Sequence, residues 1–554
     1  MKSIPSAFPS RPGRVRVVAI ALALLVVAAA CSNDDGGGST SPTTTGKEKG
    51  DAKASSDFNQ PEFEGTPADG GSITFGVESN IATLDPAGNL AQPSDIDVAL
   101  AIYDQLITYD DKGAFAPSLA TEWTNTDDLK TWTFTLRTGV TFHDGTPFNA
   151  DSVVKHFERL KDPATACACA PQVEDITSIE ATDDSTVVFT LAEPNAFFMS
   201  LLTGAVGYIA SPTATEKFGA DYPRNPVGTG AFSLPDYDAL VLKKNPDYWR
   251  KDAKGKQLPH LDEIKVQPIP DARGRYNSLL SGDVDIVQTA DTATVVDAVQ
   301  EGSLKIQKVN GTSAVITIFN LRKPPFDDVR LRLATAHALN RDQLNRVLYK
   351  GSRQPALSPF PPESPFYDES IKWPEFNQEK ARKLIAEVKA DGWDGTYTTT
   401  CIATDESRRG LAQTQAMGKA VGAKSTLEFK DQGAYVNEVF SEDPPFQVGC
   451  FRSPQSADAD GFYEGLHSEG ANNVLGYENA TVDKALEDIR RTTDAAEHKR
   501  LLAIVQKQIV KDVPTFPILF DLFANIHTDK VSGLAVPRPN SLGAIDFANL
   551  YLKA

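Results

Sequence analysis

Basic charge is what this sequence has too little of. Its 554 residues carry 55 Lys and Arg against 74 Asp and Glu, a net charge of −19. That deficit argues against nucleic acid, whose phosphates demand Lys and Arg, and against broad adsorption to anionic lipid. Histidine is scarce: His143, His156, His260, His337, His467, His498 and His527 are scattered without the spacing of a metal site. Methionine occurs three times, so no His/Met cluster offers itself to nickel or haem. There is no H-E-x-x-H, no G-x-S-x-G, no P-loop and no G-x-G-x-x-G. No catalytic residue, metal ligand or cofactor is assigned, and the chain is expected not to be an enzyme. A lipoprotein hydrolase stays open as an alternative, because catalytic groups converge from distant positions.

Long apolar runs are also missing, with one exception. Lys2, Arg11, Arg14 and Arg16 precede "VRVVAIALALLVVAAAC", a run of signal-peptide length and short for a membrane span. It ends in Ala28-Ala29-Ala30-Cys31, which resembles a bacterial lipobox with Ala28 where Leu is usual. Residues 1–30 are read as a lipoprotein signal peptide and Cys31 as the lipidated residue; an ordinary signal cleaved after Ala is the alternative. Residues 31–69 are polar and Gly/Ser/Thr-rich, a composition that cannot pack and reads as a tether. The expected location is the outer face of the cytoplasmic membrane, on the envelope side, with the lipid as the sole membrane contact.

Cysteine is sparse. Beyond Cys31 stand Cys167, Cys169, Cys401 and Cys450, an even number that fits an exported chain. "CAC" lacks the C-x-x-C spacing of redox and zinc motifs, and whether Cys167 and Cys169 are bridged stays open. Cys401 closes the apparent strand "TYTTTCIA" and Cys450 closes "FQVGC". Neighbouring strands would bring these two within bridging distance, roughly 7 Å between Cα atoms. A disulfide is expected there, with free buried thiols as the alternative.

What is present is a mixture of strand and helix signals. "TWTFTLR" alternates Trp132, Phe134 and Leu136 against threonines, and "STVVFTL" does the same with Val187, Phe189 and Leu191. Asp144-Gly145 marks a turn, and Asn149 suits the cap of a helix with Val153, Phe157 and Leu160 on one face. His143 then falls at the turn and His156 on a solvated helix side, so both belong to the scaffold. Further on, a helix follows Asp327 or Asp328. Another starts at Asn377. A third spans about 412–421, and two more run from Val482 to about Lys511. Strands "STLEFKD" and "FQVGCF" alternate with these helices, which predicts a parallel or mixed sheet with covering helices, a mixed α/β class.

The order of these segments carries a resemblance. The run "PSLATEWTNTDDLKTWTFTLRTGVTFHDGTPFNADSV", from Pro117 to Val153, resembles the signature of the family 5 extracellular solute-binding proteins, receptors of ABC importers. "NPVGTGAFSL", "KKNPDYW", "RYNSLLSGDVDIV", "FNLRKPPFDDVRLRLATAHALNR", "GYENATVDKALEDIRRT" and "IVKDVPTFPILF" follow in the family's order, covering about residue 70 onward. The resemblance implies a two-lobe periplasmic-binding-protein fold with a hinge. Lobe one would comprise residues 70–318 plus 528–554, with an accessory subdomain inserted at about 110–225. Lobe two would comprise residues 319–527. It also implies ABC permease and ATPase partners and a monomeric receptor. The ligand would be a peptide or similar small polar solute, with oligosaccharide or another organic solute as the alternative.

The cleft should be lined by "SNIATLDPAG" and "CFRSPQSADADGFYEG", the second following a strand at its carboxyl end. Candidate ligand-binding residues are Asn80 and Asp85 on one side. Arg452, Ser453, Gln455 and Asp458 face them, with Phe462 or Tyr463 as an apolar wall. The resemblance to dipeptide binders places a neutral amide, Gln455, where those proteins carry the aspartate that holds the peptide ammonium. Asp458 is the acid left to take that role, and Arg452 the partner for a carboxylate.

Overall fold

The computed structural model describes residues 61–88, 90, 93–110, 113–167, 169–362, 364–441, 443–454, 460–470, 472–535 and 543–554. Cys31, Gln455 and Asp458 lie outside them. Strand β1 (Ser72–Val77) leads through a loop into helix α1 (Pro93–Ile102). The chain then builds an inserted subdomain around a four-stranded antiparallel sheet. Its strands are β2 (Ala120–Asn125), β3 (Thr131–Leu136), β4 (Ile176–Asp183) and β5 (Thr186–Leu191), in the order β2-β3-β5-β4.

Alternation dictates which face of that sheet is covered. Trp132, Phe134 and Leu136 on β3 and Val187, Phe189 and Leu191 on β5 are all buried. Register pairs Phe134 with Val187 and Trp132 with Phe189. Helix α2 (Ala150–Lys161) closes the face, started by a capping box between Asn149 and Ser152. Phe157, Phe134 and Phe198 surround Phe189 with ring centroids 5.0, 5.7 and 5.3 Å away. Each such pair adds about 0.5–1.5 kcal/mol beyond area burial.

His156 departs from the sequence expectation of a solvated side. It is buried, its Nε2 lies 3.0 Å from the Val206 carbonyl, and its Nδ1 accepts from the Ala210 N–H at 3.3 Å. Both bonds suit a neutral ring, and burial pushes its pKa down to about 4. His143, at the expected turn, lies with Nε2 2.9 Å from the Gly230 carbonyl. The two histidines serve different joints of the scaffold.

Among the described residues the main sheet has eleven strands and spans both lobes, separate from the sheet of the inserted subdomain. Lobe one contributes β6 (Val241–Lys244), β7 (Glu263–Pro268) and β8 (Ile286–Thr289), with α3 (Ala272–Ser281) and α4 (Thr292–Glu301) around them. Strand β9 (Lys305–Phe319) crosses to lobe two. There follow α5 (Val329–Ala338), α6 (Arg341–Tyr349), α7 (Gln378–Ala390), β10 (Thr396–Ile402) and α8 (Asp405–Val421). Next come β11 (Lys424–Lys430), α9 (Gln432–Val439), β12 (Val448–Pro454), α10 (Asp460–Leu466), α11 (Ala480–Arg490) and α12 (Ala495–Asp512). Strand β13 (Thr515–His527) crosses back. The principal path reads β11-β10-β12-β9-β13-β8-β1-β7-β6, continued by Phe232–Ser233. Helix α8 begins at Asp405, two turns before the expected 412, because Thr404 caps a polar first stretch that hydrophobic periodicity does not reveal.

Two large cores flank the crossing. One gathers β1, α1 and β7 with Val531, Leu534, Ile545, Phe547 and Leu550, so the chain returns to complete lobe one. The other holds Phe319, Leu331, Ile385, Leu502 and Phe516 of lobe two. Along β9 and β13, Ile318, Phe319 and Phe516 join the lobe-two core, whereas Val309, Leu522, Phe523, Ala524 and Ile526 pack in smaller clusters of their own. Register slips between Asn310 and Ala314, opposite Leu522 and Phe520. Residues 61–69, assigned to the tether from composition, are instead fastened to lobe one. The Glu62 N–H donates to the Leu534 carbonyl at 2.7 Å, the Glu64 N–H to Ser532 Oγ at 2.7 Å, and Pro67 bridges Lys553. Composition misleads here because these polar side chains have partners far along the chain, Glu62 with His527 and Glu64 with Lys305 and Lys553, in addition to the backbone bonds.

Candidate ligand cleft between the two half-sheets

Strand direction locates the site. β1 is parallel to β7 and β8, and β8 is antiparallel to β13. β9 is antiparallel to both β13 and β12, whereas β10 is parallel to β11 and β12. Strands β1, β7 and β8 of lobe one thus point their carboxyl ends toward lobe two, β6 running the other way, and β10, β11 and β12 point theirs back. Open α/β sheets bind ligands beyond their carboxyl ends. The two half-sheets offer such ends to each other across the crossing strands.

On the lobe-one side the loop after β1 is tightly fixed. Glu78 Oε1 accepts from the Ala290 N–H at 2.7 Å and from Arg275 Nη2 at 3.2 Å. Asp95 Oδ1 accepts from the Ala82 N–H at 2.8 Å, Tyr237 OH donates to the Ile81 carbonyl, and Tyr103 OH donates to the Leu84 carbonyl. Burial pushes Asp95 up to about 7 and Asp97 well above the carboxylate range. Each leaves one buried oxygen, Oδ2, without a partner. Asn80 stands exposed on this loop. Asp85 does not present a free carboxylate as the sequence reading supposed. Its two oxygens take Arg159 Nη1 and Nη2 at 2.9 and 2.6 Å, and the residue is buried. This bidentate pair ties the loop to α2 of the inserted subdomain.

On the lobe-two side, Arg452 and Ser453 occupy the carboxyl end of β12. They lie beside Val315 and Ala314 of β9, next to the register slip. Phe462 and Tyr463 are half-buried. Phe462 stacks on Phe360 at 5.1 Å. Tyr463 lies between His467, with ring centroids 4.3 Å apart, and the Arg490 guanidinium, 4.1 Å from its ring. These contacts hold α10 against the lobe-two core. Asn80 thus lies in the loop just after β1 and Arg452–Ser453 at the carboxyl end of β12; Asp85 is held in its pair with Arg159, and Phe462 and Tyr463 are packed on one side against lobe two.

Sequence reasoning missed a buried ion pair at the crossing. Arg353 Nη1 meets Asp521 Oδ1 at 3.0 Å, with both side chains 3% or less exposed. The same guanidinium lies 3.4 Å from Glu406 and 3.8 Å from the Tyr349 ring centroid. Asp521 sits in β13 between Phe520 and Leu522, where β9 slips. The signal was available as a lone acid inside "TFPILFDLFANIH", since a buried charge demands a partner. Glu78 was equally legible as an acid directly following a strand.

Cys401 and Cys450 stand on the adjacent parallel strands β10 and β12. The structure joins them with Cα atoms 5.4 Å apart. Cys167 and Cys169 are also joined, with Cα atoms 5.1 Å apart. Among the described residues no group of three or more His, Cys, Asp or Glu is placed to hold a metal, and no helix is long and apolar enough to cross a membrane.

Two lobes, a double crossing and facing strand ends define the two-lobe periplasmic-binding-protein class. Residues 114–473 match the pattern described as bacterial extracellular solute-binding proteins, family 5 Middle, and the chain belongs to that family. It is similar to the glutathione-binding protein GsiB of Shigella flexneri, 28% identical over 478 residues that span 83% of this chain and 91% of that one. It is similar to the periplasmic binding protein DppA of Helicobacter pylori, solved in complex with the peptide STSA. That likeness has 26% identity, a TM-score of 0.74, and coverage of 88% of this chain and 99% of that one. The oligopeptide-binding protein AppA of Bacillus subtilis, in complex with a nonapeptide, shares the fold at 21% identity and a TM-score of 0.72, over 88% of this chain and 100% of that one. The protein is thus a substrate-binding component of an ABC transporter.

Proposed function

We propose that this protein captures a short peptide between its lobes and delivers it to an ABC permease. The opposed carboxyl ends of the two half-sheets carry the reading. The peptide- and glutathione-binding relatives support the ligand class. Closure about the two crossing strands would bury the ligand, the hinge motion for which periplasmic binding proteins are themselves a standard example, and the permease would engage the closed form. Within the cleft, Asp458 holds the ligand's ammonium and Arg452 its carboxylate, with Asn80, Ser453 and Gln455 as neutral partners. Lipid on Cys31 tethers the receptor to the outer face of the membrane, and the protein works as a monomer and performs no chemistry on its ligand. Mass spectrometry of ligand released from the purified protein tests the reading, and a ligand without amine or amide groups overturns it. With that ligand in hand, Asp458→Asn is expected to lose about ten- to a hundredfold in affinity by calorimetry, equivalent to roughly 1.5–3 kcal/mol. Cys31→Ala is expected to move the protein from the membrane fraction to the soluble envelope fraction.

A further inference from the structure

Lobe two holds a pocket, partly open to its surface, apart from the facing strand ends of the cleft. A cavity of about 160 Å³ lies on the helix-covered face of its half-sheet, between β10 and β12 below and α5, α6 and α8 above. Its origin is visible in the helix sequences. Among the α8 residues that line it, Ser407, Gly410, Thr414 and Gly418 recur at helical spacing beside Leu411, Met417 and Val421, and α5 offers Ala334 and Ala338. Small side chains on both helices leave the sheet face uncovered at its centre. Glycine weakens a helix interior relative to alanine, yet no close approach demands it at 410. A Cβ built there would have Leu348 Cδ1, 3.9 Å away, as its nearest neighbour. Gly410 therefore keeps space open rather than relieving a clash.

The wall has little to offer water. Four of the hydroxyls at its edge are already bonded within the protein. Thr335 Oγ1 donates to the Leu331 carbonyl at 2.9 Å and Thr414 Oγ1 to the Leu411 carbonyl at 3.1 Å. Tyr435 OH donates to the Cys450 carbonyl at 2.7 Å, and Tyr349 OH to Glu406 Oε1 at 2.5 Å. The remainder is largely aliphatic and aromatic, with the Cys401–Cys450 bridge as a polarisable patch. A mainly apolar cavity of about 150 Å³ is large enough to admit benzene. We propose that lobe two contains a second binding site, for a compact, uncharged, apolar molecule of about six to eight heavy atoms. The site is independent of what the interlobe cleft binds. Val315 and Thr317 of β9 and Phe516 and Ile518 of β13 line it, so its occupant would touch both crossing strands.

Benzene is the probe. Calorimetric unfolding of the purified protein in benzene-saturated buffer is expected to show a Tm raised by about 2–4 °C. Thr414→Leu fills the cavity and is expected to abolish the rise. Gly410→Ala, which fills less and meets no close atom, is expected to reduce it and decides the matter if the larger side chain prevents folding. Crystals under xenon pressure are expected to show the gas between α5, α8 and β10. No rise in the wild-type protein, an undiminished rise in the folded variants, or xenon confined to the interlobe cleft would each overturn the proposal.

Discussion

Helix α2 of the inserted subdomain covers an antiparallel sheet and helix α8 of lobe two a parallel one, and they do so differently. Twelve-residue α2 buries Val153, His156, Phe157 and Leu160 and locks its rings among those of the sheet. Of the described residues of seventeen-residue α8, Met417 and Val421 alone are fully buried. Interdigitated aromatics admit one arrangement, whereas a face of Gly, Ser and Thr leaves the helix loosely seated. The inserted subdomain is therefore the more tightly interlocked of the two, and the looser packing lies in lobe two, beside the crossing strands.

The comparison breaks first at Phe157. Truncating it to Ala should cost about 3–5 kcal/mol, because its neighbours are too well fixed to collapse into the gap. A urea midpoint lowered by less than half of that would show the subdomain to be as yielding as α8. The next largest effect should come from replacing Cys401 and Cys450 together by Ser, at about 2–4 kcal/mol. If thermal unfolding leaves that variant as stable as the parent, the bridge does not compensate for the loose helix above it.

The pH dependence sharpens the contrast further. His156 is held neutral, its pKa lowered from 6.5 to about 4. The unfolded chain therefore takes up a proton first. Stability from this group is complete above pH 6.5 and falls as pH drops toward 4, by up to about 3 kcal/mol. Asp95 has the opposite sign. It is raised from 3.8 to about 7, so its contribution is present below 3.8 and is lost as pH rises through 7. Denaturation series on His156→Gln and Asp95→Asn should separate the two slopes, and a His156→Gln profile parallel to the parent's would show that the histidine is not held neutral. The smallest effect belongs to Leu411→Ala on α8. The residue is half-buried at the cavity rim, and its truncation should cost below about 1 kcal/mol. A loss comparable to that of Phe157→Ala would remove the distinction between the helices.

Local periodicity was legible, and long-range covering was not. Alternation at Trp132, Phe134 and Leu136 and the cap at Asn149 could be read directly, because pattern and cap act within a few residues. So could the strand ends at Cys401 and Arg452, since βαβ alternation makes neighbours of separate strands. His156 was misplaced because the carbonyl and amide that receive it come from residues 206 and 210, which no helical wheel displays. Asp85 was misread for the same reason. Its partner Arg159 lies 74 residues away, and a loop acid followed by Pro looks free until that partner is seen. The order of short motifs revealed the two lobes, but not where the two crossing strands slip in register.

The return of the chain to lobe one has a consequence for how the molecule is made. Phe75 on the first strand packs edge-on against Phe547, with ring centroids 5.2 Å apart, and Val531, Leu534 and Leu550 fill the same core. During synthesis, β1 emerges more than four hundred residues before the side chains that cover it. Lobe two lies between the two crossings and collects nearly all of its core from one stretch, Phe197 of the inserted subdomain being an exception. A nascent chain halted before residue 531 would carry a lobe two able to condense and a lobe one with an open seam. Chaperones would find their substrate at that seam.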